Sequence, residues 1–278
     1  MAFRLNFAPH LGFPTTDRPL FDAIVGSTDP IEHMRFAAAQ GFAAVQDPFA
    51  AMRAASEQAM IGAASAELGL LLGCFVYAPL AHARTPAWTA NTPAERTALS
   101  QSLDEALAVA ERINSGHIAV ITGQAAGRST GDQRRAMADN LHLAGEVAAA
   151  RGLKLCIEAV NARRLPNMLL NHIADALDVV RSAAHPAVRL LFDFAHVQAM
   201  EGDILYHLDR AWEYVEIVQI ADNPGRVEPG AGELNFERLL NALVERGFTG
   251  LCELEHQWSR PGKEVQQNYL RWLERWRA

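Results

Sequence analysis

Short apolar runs alternate with longer stretches of helical period along almost the whole chain, a rhythm that predicts repeated βα units around a parallel sheet. The runs predict strands at residues 3–8, 42–46, 70–77 and 117–122, then four more ending at Glu158, Asp193, Gln219 and Glu255. Helical segments lie between them. Asp29-Pro30 opens one that stops at Gly41, and Thr92-Pro93-Ala94-Glu95 caps another that runs to Ile113. Further helices are predicted at 52–67, 134–151, 169–182, 204–212 and 236–246, with a last one from Lys263. Eight strands, each followed by a helix, predict an α/β fold: a single (β/α)8 TIM barrel filling residues 1–278 as one domain. A doubly wound sheet is the rival, but the first strand leads into Pro9-His10-Leu11-Gly12-Phe13 and not into a GxGxxG turn. Segment 78–92, with Pro79, Pro86 and Trp88, is long for a connection and reads as a lid or substrate-facing loop.

Composition narrows the class. The 278 residues suit one barrel of about 250 residues, and half of them are apolar, enough for a substantial core. The formal charge of −7 and the absence of a Lys/Arg block argue against a nucleic-acid groove. No apolar stretch reaches the roughly 18 residues of a membrane span, and Met1-Ala-Phe-Arg-Leu-Asn-Phe lacks a signal-peptide core, so a cytoplasmic location is expected. Cys74, Cys156 and Cys252 lie inside apolar runs without CxxC spacing and read as buried free thiols.

The candidate chemistry sits at the ends of the last four strands. Glu158, Asp193, Gln219 and Glu255 follow one another at 35, 26 and 36 residues, and barrels place their active-site groups at the C-terminal ends of different strands. Three carboxylates and an amide are oxygen donors suited to one hard divalent cation, Mg²⁺ or Mn²⁺ before Zn²⁺ or Co²⁺. Without a cation the acids would repel one another; polar caps on strand ends are the plainer alternative. Glu253, two residues before Glu255, faces the same side of its strand and competes with it as a ligand, lying deeper. His196 can donate to a substrate oxygen or serve as a ligand. Arg226 brings a guanidinium suited to an acidic or polyhydroxylated substrate, with Glu233 in reach to buttress it. His10 and Tyr77 are weaker candidates from the first half, and His117 begins its strand, at the wrong end for catalysis.

Asp193-Phe-Ala-His196, Gln198-Ala-Met-Glu-Gly-Asp203, Gln219-Ile-Ala-Asp-Asn-Pro-Gly-Arg226, Glu228-Pro-Gly-Ala-Gly-Glu-Leu-Asn235 and Gly247-Phe-Thr-Gly250 resemble the hydroxypyruvate isomerase group of the xylose-isomerase-like TIM barrels. The resemblance implies a divalent metal held by Glu158, Asp193, Gln219 and Glu255, with Glu158 and Glu255 also serving as the acid/base pair. It implies that His196 and Arg226 hold substrate oxygens, that the substrate is a small keto acid or ketose, and that no organic cofactor is needed. Homo-oligomerisation is compatible with it. Hydroxypyruvate to tartronate semialdehyde is the implied reaction, with 2-oxo-tetronate isomerisation and ketose 3-epimerisation as neighbours; a non-catalytic sugar-acid-binding barrel is the alternative of another class. Three features depart from the group: Ala44-Val-Gln46-Asp47 where an acid ends strand two, Ala195 where Tyr is frequent, and the 78–92 loop.

Overall fold

The computed structural model describes residues 2–278. Among them it places strands β1 (Asn6–Pro9), β2 (Ala44–Val45), β3 (Leu71–Leu72), β4 (Phe75–Val76), β5 (His117–Val120), β6 (Lys154–Glu158), β7 (Val188–Asp193), β8 (Val215–Gln219) and β9 (Leu251–Leu254). Seven form a parallel sheet in the order β1-β9-β8-β7-β6-β5-β4, and β2 pairs with β3. Isolated parallel bridges, His10 with Gln46 and Leu72 with Ser115, join the two sheets.

Eight small or aliphatic side chains meet in a separate apolar cluster: Ala8, Ala44, Cys74, Ala119, Cys156, Leu191, Ile217 and Leu251. Side chains two residues further along a strand share its face. The next layer toward the strand ends is therefore His10, Gln46, Val76, Ile121, Glu158, Asp193, Gln219 and Glu253. Polarity rises abruptly between the two layers, so the alternation that fills the interior also delivers the chemistry to its mouth.

The predicted elements differ from the structure at several ends. The third strand is broken into β3 and β4 around Gly73-Cys74. There the Cys74 N–H donates to the Glu253 carboxylate at 2.6 Å instead of to a neighbouring strand. A Cβ at Gly73 would lie 2.4 Å from that carboxylate oxygen and would push it away. Two helices shift: Thr130–Ala149 starts early because Ser129 caps it, and Ile173–Ala183 starts late. Segment 78–92 is not a free lid. It holds a short helix, Leu80–Ala83, and a turn at Ala87–Thr89 whose Trp88 is fully buried. Asn140 donates to the carbonyls of Trp88 and Ala90, and Arg128 to that of Thr89, which pins the segment down.

Candidate active site

Glu158 ends β6, Asp193 ends β7, and Glu255 follows β9, so three strands aim carboxylates at one mouth. Glu158, Glu255, His196 and Arg226 line a cavity of about 260 Å³, whose apolar wall includes Phe13, Phe49, Val76, Leu80, Ile121 and Val160. Asp193 lies beneath, 2 % exposed.

Arg226 reaches the centre of this group. Its Nη2 is 2.7 Å from Asp193 Oδ2 and 2.7 Å from Glu255 Oε2, so one guanidinium nitrogen bridges two proposed ligands. Its Nε and Nη1 are buried without a partner. Burial would lower the arginine pKa, but Asp193 and Glu255 outweigh it and hold the group charged. Burial likewise opposes ionisation of Asp193, yet Arg226 and His196 bring its carboxyl below the usual range. Glu158 makes no direct ion pair with Arg226, and burial followed by Asp193 and Glu255 pushes its carboxyl well up against the weaker pull of that arginine. Glu255 is raised by burial against the pull of Arg226.

The loop that carries Arg226 is built on Asp222. Its buried carboxylate accepts four backbone N–H groups: Asn223 and Leu234 at one oxygen, Gly230 and Gly232 at the other, all within 3.0 Å. A Cβ at Gly232 would fall 2.4 Å from Asp222 Oδ1. Arg226 has a left-handed φ of 55°, a strained conformation that such a scaffold can hold. Its carbonyl accepts from Gln257 N–H, and Glu228 accepts from Ser259, tying the loop to the segment after β9.

His196 opens the helix Phe194–Met200, capped by Asp193, which accepts its N–H at 2.8 Å. Asn161 fixes the ring. The Arg164 N–H donates to Asn161 Oδ1 at 2.9 Å, so the Asn161 amide nitrogen faces His196 Nδ1 at 2.6 Å. The imidazole therefore carries its proton on Nε2, 3.4 Å from Glu158 Oε1. Burial lowers its pKa to about 4. The nearest possible ligand atoms of Glu158, Asp193 and His196 lie within 4.8 Å of one another. An imidazole that presents an N–H acts as a donor there and not as a metal ligand.

Gln219 is not on the cavity wall. It is buried below, opposite both Asp193 and Glu253 in register. Its Nε2 donates to Glu253 Oε2 at 3.0 Å, which leaves Oε1 buried and without a partner. Glu253 also accepts from Cys74 N–H and Sγ. Burial raises its carboxyl to about 8, against the hydrogen bonds from Cys74 and Gln219. The donor chemistry fits a hard divalent cation: crowded carboxylates whose charge one arginine does not balance, and an orphaned amide oxygen.

Other residues fall elsewhere. His117 lies at the opposite end with Glu216, as its place in the strand predicts. His10 is buried and donates to the His256 carbonyl. Tyr77 is buried against Trp88. Asp47 pairs with Arg53, which also holds the carbonyls of Leu11 and Thr16 on the loop bearing Phe13. Glu233 is exposed, and the carboxylates paired with Arg226 are Asp193 and Glu255. The three cysteines are free and buried. No helix among the described residues is long and apolar enough to cross a membrane. Sequence reasoning missed Asn161, Arg164 and Asp222. The polar run Asn161-Ala-Arg-Arg164, which begins three residues past Glu158, places polar groups near the mouth but gives no sign of the Asn161–His196 contact.

Comparison with known proteins identifies the family. Residues 34–276 match the family described as xylose isomerase-like TIM barrel. A 2-oxo-tetronate isomerase of Cupriavidus necator is 30 % identical over 244 residues, covering 87 % of this chain and 92 % of its own. Hydroxypyruvate isomerase of Escherichia coli is 27 % identical over 152 residues, 55 % of this chain and 57 % of its own. Among solved structures, one described as AP endonuclease, family 2, from Brucella melitensis superposes with a TM-score of 0.81 at 24 % identity, covering 99 % of this chain and 100 % of that one. The chain belongs to the xylose isomerase-like TIM barrel family, among its isomerases.

Proposed function

We propose that the protein isomerises a small hydroxy-keto acid, with hydroxypyruvate to tartronate semialdehyde as the leading reaction. One observation carries this reading: Glu158 and Glu255 face the same small cavity, with His196 and Arg226 beside them. At about 260 Å³ the cavity lies below the usual size of ligand pockets, roughly 300–1,000 Å³, which favours three- and four-carbon substrates over hexoses. The relatives named 2-oxo-tetronate isomerase and hydroxypyruvate isomerase support the same class. The accompanying fold reading is a single (β/α)8 barrel over residues 1–278, with β3 and β4 as one interrupted strand.

In this reading one glutamate takes a proton from the hydroxyl-bearing carbon, giving an enediolate. The pair then returns a proton to the former carbonyl carbon, while the hydroxyl proton passes to the former carbonyl oxygen. His196 Nε2–H and the unpartnered nitrogens of Arg226 donate to substrate oxygens. Glu158, Asp193, Gln219 Oε1 and Glu255 are the proposed holders of one divalent cation. When bound, it supplies Lewis-acid stabilisation of the negative charge that develops on the substrate oxygens. The test is a panel of 2-keto acids and ketoses assayed after chelation and re-addition of Mg²⁺, Mn²⁺ or Co²⁺. Turnover of a keto acid restored by metal supports the reading, and preferential 3-epimerisation of a free ketohexose overturns it.

A further inference from the structure

We infer that Arg164 is the anchor for the substrate's carboxylate and so selects acids over neutral sugars at this mouth. The inference rests on the keto-acid reading and adds the residue that enforces it. Arg164 follows β6 and lines the catalytic cavity together with Glu158, Glu255 and Arg226. Its guanidinium lies over the Phe13 ring, 5.4 Å from the centroid, and Arg226 lies over the same ring at 5.4 Å. Phe13 therefore brings two arginines to one small space.

The two differ in what already occupies them. Arg226 gives Nη2 to Asp193 and Glu255. The Arg164 side chain makes no hydrogen bond or ion pair with any described residue, although its backbone N–H is fixed by Asn161. A guanidinium held at a cavity rim with all its donors free is arranged for an external acceptor, and its planar fork matches a carboxylate. Glu255 and His196 both feel its charge, so it acts on the cavity and not only on solvent.

Charge counting points the same way. With the deeper Glu253 counted as protonated, since burial raises it to about 8, Glu158, Asp193 and Glu255 stand against Arg226 and Arg164, a formal charge of −1 without a cation and +1 with a divalent one. A monoanionic substrate neutralises the loaded site; a neutral ketose leaves it charged. Beyond the cavity, Arg163, Arg164 and Arg226 continue into a groove of about 520 Å³ with Asn161, Asn223 and Ala195, where Glu233 is the one carboxylate. Anions thus meet a predominantly basic approach.

Calorimetric titration of D-glycerate, an anion that lacks the keto group, into metal-loaded wild type and Arg164→Ala tests the anchor independently of turnover. Dihydroxyacetone serves as the neutral control. The expected result is about 10–100-fold weaker glycerate binding in Arg164→Ala, with partial recovery in Arg164→Lys and no change for dihydroxyacetone. KM for the keto acid should rise by a similar factor with kcat within about threefold. Equal glycerate affinity in wild type and variant, an equal loss for the neutral control, or no glycerate binding by wild type overturns the anchor. A wild type that binds glycerate through Arg164 but turns over no keto acid overturns the proposed function and leaves the anchor standing.

Discussion

A charged cluster stands at each end of the barrel, one around Glu216 at the start of β8 and one at the mouth, and the two handle charge in opposite ways. Glu216 meets Lys154 at 2.5 Å, His117 at 3.2 Å and Arg189 at 3.5 Å. Burial alone would raise its carboxyl, but hydrogen bonds from His117 and Lys154 bring it down to about 2. At the other end, beyond Gln219, Glu158 faces Asp193 and Glu255 with one shared arginine and is pushed well up. The same side-chain type in one barrel is over-compensated on the floor and under-compensated at the mouth. The floor uses its charges on one another, which stabilises the fold. The mouth leaves carboxylate and arginine valences open, which favours a cation, a proton and a substrate.

Substitutions should separate the two ends. Glu158→Gln should cost about 10²–10⁴-fold in kcat, the range for a positioned acid/base group. Its melting temperature should stay at or above wild type, because one of three repelling carboxylates is gone; a large loss of stability would assign Glu158 to the scaffold instead. Asp222→Ala removes the acceptor of four N–H groups around Arg226. Denaturant titration should give a loss of about 2–3 kcal/mol, together with a raised KM.

Glu216→Gln should do the reverse of Glu158→Gln: a loss of about 2 kcal/mol of stability after allowance for solvent screening, with kcat unchanged. The sign follows from a carboxyl depressed in the folded state. Its contribution is complete above the unfolded value of 4.5 and disappears as pH falls toward about 2. Melting temperatures between pH 5 and pH 2 should therefore converge for wild type and variant. Smallest of all, Glu253→Gln frees the Gln219 amide to turn and should weaken divalent-metal affinity about tenfold. An unchanged metal affinity, read by calorimetry, would remove Gln219 from the ligand set or Glu253 from its support.

The sequence made the mouth more legible than the joints beneath it. The residues ending the last strands could be found because a parallel barrel exposes strand ends and hides everything before them, so a carboxylate after three apolar residues, as at Glu158 and Asp193, stands out. Asp222 and Asn161 were not legible, because their roles lie in backbone N–H groups and a ring nitrogen brought close only by folding. The break at Gly73-Cys74 had no local signal either: its cause is Glu253, far along the chain on β9. Segment 78–92 reads as a lid or substrate-facing loop from its length, and Leu80 does line the cavity, yet Trp88 and Thr89 are drawn down by Asn140 and Arg128 from a later helix and loop.

The central claim is that the mouth carboxylates move a proton. The direct measurement is NMR of the product formed from hydroxypyruvate by the metal-loaded enzyme in D₂O. Proton transfer through Glu158 and Glu255 predicts solvent deuterium on the carbon that was the carbonyl, delivered about 10²–10⁴-fold more slowly by Glu158→Gln. Product that carries only the substrate's own hydrogen at that carbon would mean transfer without solvent exchange, as in direct hydride migration, and would contradict the two-glutamate account.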